Sequence, residues 1–583
     1  HATPERSRAA LFMFQVYPRL VLCAHTPKSH ASRARRFLSG EWRTLAREHA
    51  TLAADWANRH VDRVGGSDTS VPSVPRPMRS RTRPAPSLGK SMLAPPGDPM
   101  LDRVMRLVGH ARLSQAAKLL AGAVSAPYGR PTLGLLSALQ FSPHEPLPAA
   151  FVTRALTACA ECTRTSSCFN VGAGAAAIDS QLLAHCMRSA RRGSARGPSG
   201  WFLDLFHKLA HLAGPPDSLA RLIGLLAHIG NGALMSLEAS HLITAALALA
   251  LSKGHNYLVD GIRPLAIGEP VRRLVGAAAL LKHSLPENNI IASALLPQQF
   301  GVGVRCGVDI MFNTIRLIST SRPEFIVIGT DVKSAFQRMP RAHFLRALME
   351  HPTLHPLFPF AATCYLYSSS CFYGEVFSYL SAEGSAQGCP FGSFTFCVGL
   401  DPLLKQISAE FLTVLLLAYC DDIWFVGPVD DAISAFHRLA ALMRELRTSQ
   451  GPLVFSEATG KLWVYSYGQD TLQGVERTRM PPNTRWVPSS EGYKGLGAFA
   501  SSSPAFISNA AVALFAKRHG PLHIGLRRLA EYGRGPCAQS AALLAQHCAA
   551  TRLSFLARLI PTGAISPLVE AHTMRMLTAY SAI

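Results

Sequence analysis

The chain has 583 residues, 48% of them hydrophobic, enough for about three or four domains of roughly 150 residues with filled cores, which excludes a small module or a disordered tail. Lys and Arg number 58 against 36 Asp and Glu, a net charge of +22 on a chain only 16% charged, so nucleic acid is the first expected partner, ahead of an acidic membrane surface. Thirteen cysteines are too sparse for a disulfide-stapled secreted scaffold.

No secretory signal is legible, and the apolar run 10–24 is interrupted by Pro18 and Arg19 and too short to span a bilayer. The runs 245–251 and 411–418 are shorter still and read as a core helix and a buried strand. No membrane partner and a nuclear or other intracellular location are expected. The chain opens with His1 and reads as a fragment. Residues 1–97 form a basic, partly disordered region; its segment 72–90 (PSVPRPMRSRTRPAPSLGK) has five basic residues and no acidic one, the composition of a linker.

From 98 to 250, Leu and Ala recur at helical spacing, giving an α-rich region. The basic, Gly/Ser-rich stretch 188–200 (RSARRGSARGPSG) interrupts it and reads as a mobile, solvent-facing insertion. Cys159, Cys162, Cys168, His185 and Cys186 are too irregularly spaced for a zinc site and read as core residues. Beyond Gly254 short β-branched and aromatic runs alternate with helices, an α+β pattern lasting to Phe499, after which helical segments with Arg and His return.

The chemistry concentrates in 324–427. A buried-strand run, Phe325 to Ile328, ends in Gly329-Thr330-Asp331 before a helical pattern opens at Ala335-Phe336. Farther on, Leu415 to Tyr419 runs into Cys420-Asp421-Asp422 and Ile423 to Val426 follows, which reads as a β-hairpin with carboxylates at its tip. Carboxylates beside apolar strands are costly unless they meet a cation, so a metal site of Asp331, Asp421 and Asp422 is expected. Two Mg²⁺ ions about 4 Å apart, or Mn²⁺ in their place, would suit it.

Between those points lies Glu383-Gly384-Ser385-Ala386-Gln387-Gly388-Cys389-Pro390-Phe391-Gly392-Ser393. With it, the chain resembles the reverse transcriptase of non-LTR retrotransposons. Asp331 with Ala335-Phe336 resembles that family's first palm motif, Gln387-Gly388 with Pro390 the second, and Tyr419-Cys420-Asp421-Asp422 the third. Lys461 is similar to the lysine of the fourth, and Gly495-Leu496-Gly497 to the primer-gripping turn. Residues 257–268, with Arg263 before Pro264, resemble the fingers, and 298–310 the segment before the first palm motif. Some of this wording is similar to the elements that insert into spliced-leader RNA genes. Cys420 and Phe391 stand where other small or aliphatic residues are usual, and no metal-site carboxylate is lost.

The resemblance implies an α+β right-hand polymerase: fingers and palm over 251–498, a helical thumb-like region over 499–583, and 98–250 as an α-rich N-terminal extension. It implies an RNA-directed DNA polymerase that copies an RNA template from a DNA 3′ end at its target, using dNTPs. Asp331, Asp421, Asp422 and Lys461 would be catalytic; Arg263, Phe336, Gln387 and Gly388 would bind the nucleotide, with Lys253 a further phosphate contact. Phe336 would lie under the sugar and reject a 2′-hydroxyl. No nuclease motif and no RNase H carboxylate series after Gly497 is found, so a truncated element is expected. A catalytically silent RNA-binding remnant is one alternative. An RNA-dependent RNA polymerase is another, disfavoured by Phe336.

Overall fold

The computed structural model describes residues 99–109, 147–165, 178, 180–190, 194–211, 216–232, 237–252, 262–373, 377–449, 451–468, 475–532 and 536–581, with a few isolated positions before 147. The 72–90 linker, Lys253 and Cys168 lie outside them. In chain order the strands are β1 (Ala246–Ser252), β2 (Ile262–Gly268), β3 (Ile326–Asp331), β4 (Ser369–Tyr373), β5 (Phe377–Ser381), β6 (Leu415–Tyr419), β7 (Asp422–Gly427), β8 (Arg447–Thr448), β9 (Gly451–Pro452), β10 (Trp463–Ser466), β11 (Arg485–Val487), β12 (Tyr493–Gly495) and β13 (Ala498–Ala500). Helix and sheet are mixed throughout.

Alternation builds the central five-stranded sheet, ordered β11-β10-β3-β7-β6. Ile326 and Ile328 of β3, Ile423 and Phe425 of β7, and Leu416 and Ala418 of β6 enter the largest core, with helices Pro390–Glu410 and Val429–Glu445. Val327, Leu417, Trp424, Val426, Trp463 and Tyr465 face the other way onto Met311, Phe312 and Ile315 of helix Gly307–Ser321. Successive strand residues serve opposite faces, so a sheet covered on both sides reads as a continuous apolar run. Gly329 of β3 lies opposite Trp463 of β10, and a Cβ there would collide with the indole ring. Gly329→Ala is expected to destabilise the fold by about 2 kcal/mol, the scale of core overpacking, measured as a lower urea midpoint.

The second sheet, ordered β2-β1-β4-β5, corrects two expectations. Residues 245–251 are not a core helix: β1 pairs with β2 along its length, from Ala246↔Gly268 to Ser252↔Ile262, and runs parallel to β4. Its alanines are buried and its leucines half-buried. The period of two is hidden because both residue types are apolar. The division at 250 consequently falls inside a strand. The helices of 98–250 divide between two cores. Helix Ala149–Thr165 and those up to Leu237–Thr244 contribute to the largest core, whereas Leu101 and Val104 of helix Pro99–Gly109 pack on Leu522, Leu526, Leu529 and Met576 of the C-terminal helices.

A third correction concerns 188–200. Residues 197–199 are buried rather than solvent-facing. The Ser199 amide donates to Glu269 Oε1 (2.7 Å) and its hydroxyl to Glu269 Oε2 (2.6 Å), and Glu269 is itself the N-cap of helix Pro270–Lys282. A buried carboxylate satisfied by two donors at a helix N-terminus holds the loop in place.

After Pro504 the chain is helical, with Pro504–Tyr532 and Ser566–Ser581 the longest segments. Arg558 pairs with Asp309 (3.1 Å), and Arg316 donates to the Leu559 carbonyl (3.2 Å), fastening these helices to Gly307–Ser321. Among the described residues, no helix is long and apolar enough to cross a membrane.

Candidate active site

β3 and β7 run antiparallel with Asp331 directly opposite Asp422, and opposed residues share a face. That face is the one bearing Val327 and Trp424. β6 and β7 are joined by the two residues Cys420 and Asp421, so the third carboxylate projects from the turn. The Val332 amide donates to the Asp421 carbonyl (3.0 Å) and the Ser456 amide to that of Asp331 (2.7 Å), tying the strand exits together.

Cys420 has φ +54°, a conformation that favours glycine. Gln299, fully buried, supports it: its Oε1 accepts from the Cys420 amide (2.8 Å) and the Gly301 amide (3.0 Å), while its Nε2 approaches the Cys420 carbonyl at 3.4 Å. Gln298 and Phe300 exchange backbone hydrogen bonds with Ala418 of β6, which brings Gln299 beside the turn. Gly301 is pressed so close to Cys420 that no side chain would fit. The sequence does not mark Gln299 as functional, because nothing in a Gln-Gln pair signals a side chain holding a turn more than a hundred residues away in sequence.

The carboxylates disturb one another. Burial, then Asp421 and Asp331, push Asp422 up to about 7. Burial and Asp331 push Asp421 up to about 6, with Lys461 and Arg263 pulling back. Lys461 Nζ lies 2.6 Å from Asp331 Oδ2 and is half exposed (51%). The structure thus gathers Asp331, Asp421, Asp422 and Lys461 into one acidic centre with one ammonium partner. As arranged, no group of three or more His, Cys, Asp or Glu among the described residues closes around a metal position. The three aspartates form an open edge, and their mutual repulsion makes them the groups able to take up a cation.

The other expected residues lie on β2, on helix Ala335–Arg338 and just before helix Pro390–Glu410. Arg263 stands exposed on β2, near enough to favour the charged form of Asp421. Gln387 and Gly388 lie against the same strand: the Ala266 amide donates to the Gln387 carbonyl (2.8 Å), and Gly388, at φ +101°, passes close to the Ala266 carbonyl. Phe336 is half-buried with its ring 5.3 Å from that of Phe396, and its carbonyl accepts from the Ser385 amide (2.7 Å).

Gly495-Leu496-Gly497 reaches the centre indirectly. β12 and β13 form a hairpin whose turn residues, Leu496 and Gly497, both have positive φ (49° and 87°), as a type I′ turn requires. Gly495 lies against Trp424, two positions from Asp422 on the same strand face. Lys494 joins Lys517 and Arg518 in a basic cluster; desolvation and then those two charges lower its pKa. Lys494 was not marked by the sequence, since it stands alone until the helix folds beside it. Cys159 and Cys186 are ordinary members of the largest core.

No protein-family model matches the chain, and no curated protein matches it. Among solved structures, apo telomerase from Candida tropicalis, truncated from its C-terminal domain, is 13% identical over 37% of this chain. The match spans about half of that chain (51%) at a TM-score of 0.26, too slight to carry an argument about fold or activity.

Proposed function

We propose that the chain is an RNA-directed DNA polymerase of the non-LTR retrotransposon kind, with the five-stranded sheet as palm, the four-stranded sheet as part of the fingers and the C-terminal helices as thumb. The observation that carries this reading is the gathering of Asp331, Asp421 and Asp422 on adjoining strands beside Lys461. The motif order and the basic excess support it, the latter giving the attraction a template and primer need.

Asp331, Asp421 and Asp422 would hold two Mg²⁺ ions, which when bound activate a primer 3′-hydroxyl and stabilise the leaving pyrophosphate during in-line displacement. Lys461 would give a proton to the departing pyrophosphate. Arg263 offers a planar fork of donors to the incoming triphosphate, opposite the acidic centre. Gln387 and Gly388 would form the floor beneath the nascent base pair, where the absence of a Cβ permits close approach. The basic cluster Lys494, Lys517 and Arg518 beside the Leu496-Gly497 turn would meet primer phosphates. Initiation from a nicked chromosomal end belongs to the same proposal and rests on the motif resemblance.

Purified protein should extend a DNA primer on an RNA template with Mg²⁺ and dNTPs; a folded preparation giving no extension would remove the polymerase reading. Phe336→Ala should raise GTP relative to dGTP incorporation at least about tenfold by removing the ring from beneath the sugar. An unchanged ratio would mean that Phe336 only fills space against Phe396.

A further inference from the structure

We propose that the cavity between the inner face of the four-stranded sheet and helices Ala335–Arg338 and Arg341–Glu350 binds one anion through Arg272 and Arg341. Its occupant is a small solution anion or a backbone phosphodiester of bound nucleic acid, each carrying one negative charge. Thr244, Ala266, Ser385 and Glu383 complete the parts of the wall that matter here.

Both arginines are almost wholly buried, Arg272 at 2% exposure and Arg341 at 4%. Arg341 donates only to neutral acceptors: the carbonyls of Gly384 and Tyr367 (3.0 Å each) and the Ser381 hydroxyl (3.3 Å). Arg272 makes a long contact to the Thr244 carbonyl (3.5 Å) and interacts with the Cys364 and Tyr365 side chains, while its Nε and Nη2 have no partner. Ser385 Oγ, buried on the same wall, also has none. Both guanidinium groups lie over the Tyr365 ring, 5.0 and 5.4 Å from its centroid.

One carboxylate, Glu383, acts on Arg341, which leaves the second positive charge uncompensated. Burial pushes Cys364 and Tyr365 up to about 12, so both are neutral at pH 7. Glu383 reaches the cavity wall and favours the charged form of Arg341, while both of its oxygens accept from the Ser449 amide and one also accepts from the Ser449 hydroxyl (2.7 Å). Two buried cations against one carboxylate leave a buried positive charge over, which is costly. Unpartnered guanidinium and hydroxyl donors on one cavity wall are the complement of an anion. The inference stands independently of the polymerase reading. The phosphodiester source alone rests on the polymerase reading, through Ala266 and Ala386 on the wall beside the Gln387-Gly388 segment.

The test compares the full chain with Arg272→Met and Ser385→Ala in chloride and in gluconate at equal ionic strength, and measures RNA affinity across salt. For a solution anion, chloride raises the melting temperature of the unaltered chain, the rise is lost in Arg272→Met and reduced in Ser385→Ala, and RNA affinity is unchanged. For a phosphodiester, Arg272→Met weakens RNA binding about tenfold and lowers the log-log salt slope by about one. Either pattern supports the site. A more stable Arg272→Met, with no chloride effect and no change in RNA binding, overturns it, because deleting an uncompensated buried charge should stabilise. Should the variant not fold, bromide anomalous scattering from crystals of the unaltered chain decides: a bromide peak at Arg272 supports the site, and its absence overturns it.

Discussion

Asp421→Ala should lower primer extension about a thousandfold or more, the scale of losing a carboxylate that organises a phosphoryl-transfer centre, while RNA affinity stays within about twofold. Asp421 sits on a turn tied by the Asp421 carbonyl, the Cys420 amide and Gln299, all backbone or remote from its own side chain, so the fold should survive the change. Parallel loss of extension and RNA binding would assign the aspartate a structural role. A pH signature accompanies this. Without divalent cations, Asp421 and Asp422 have folded pKa values of about 6 and 7, above their usual 3.8. The folded state then binds more protons than the unfolded state between about pH 4 and 7, so the contribution present at low pH is lost as pH rises through those values. Asp422→Asn should accordingly raise stability at pH 8 in EDTA, by on the order of 1 kcal/mol after allowing for solvent screening at this half-exposed edge. Mg²⁺ should raise the melting temperature of the unaltered chain more than that of the variant. A melting temperature independent of pH and of Mg²⁺ would contradict the acidic-centre reading.

Gln299→Leu should be the next most damaging change. It strips the acceptor from the amides of Cys420 and Gly301, and each buried donor left bare costs about 1–3 kcal/mol, so a loss of roughly 2–6 kcal/mol is expected in denaturant unfolding. Cys420 must also hold its left-handed backbone unaided. Displacing the adjacent Asp421 by a fraction of an ångström should lower kcat about tenfold or more, with KM for dNTP little changed, because no nucleotide contact is removed. Gln298→Leu is the control. Its side chain is buried with Oε1 unpartnered, while only its backbone carbonyl engages β6, so it should leave both readouts nearly intact. Equal effects from the two substitutions would mean that packing of the segment, not the amide clamp, matters.

The central sheet and the acidic centre were legible in the sequence because local pattern and chemistry coincide there. β3 and β7 are short apolar runs that end or begin in an aspartate, and a two-residue turn leaves one hairpin arrangement. Lys461 was legible only through motif order, since its pairing with Asp331 is made by the fold. β1 was misread because Ala and Leu alternate between two apolar classes, and helical and extended spacing then look alike over seven residues. Loop 188–200 was misread because its basic, small-residue composition says nothing of Glu269, a carboxylate seventy positions onward that the Ser199 donors satisfy. Arg272 looks like a surface residue of an amphipathic helix, and only the surrounding sheet and helices turn it inward. What the sequence hides in each case is a partner distant along the chain.

Strand order in the four-stranded sheet limits how this molecule can be divided. β1 lies between β2 and β4, so it is an inner strand contributed by residues on the amino-terminal side of the motif-bearing region. A polypeptide starting at β2 would present two unpaired strand edges and leave Ala266, Cys371, Tyr373 and Tyr379 without the β1 alanines they pack on, the makings of edge-to-edge aggregation. One starting after helix Pro99–Gly109 would leave Leu522, Leu526 and Leu529 without their cover. The smallest autonomous piece therefore has to reach back well before the first motif, and insolubility of a shorter piece would reflect its missing strand rather than an inactive centre.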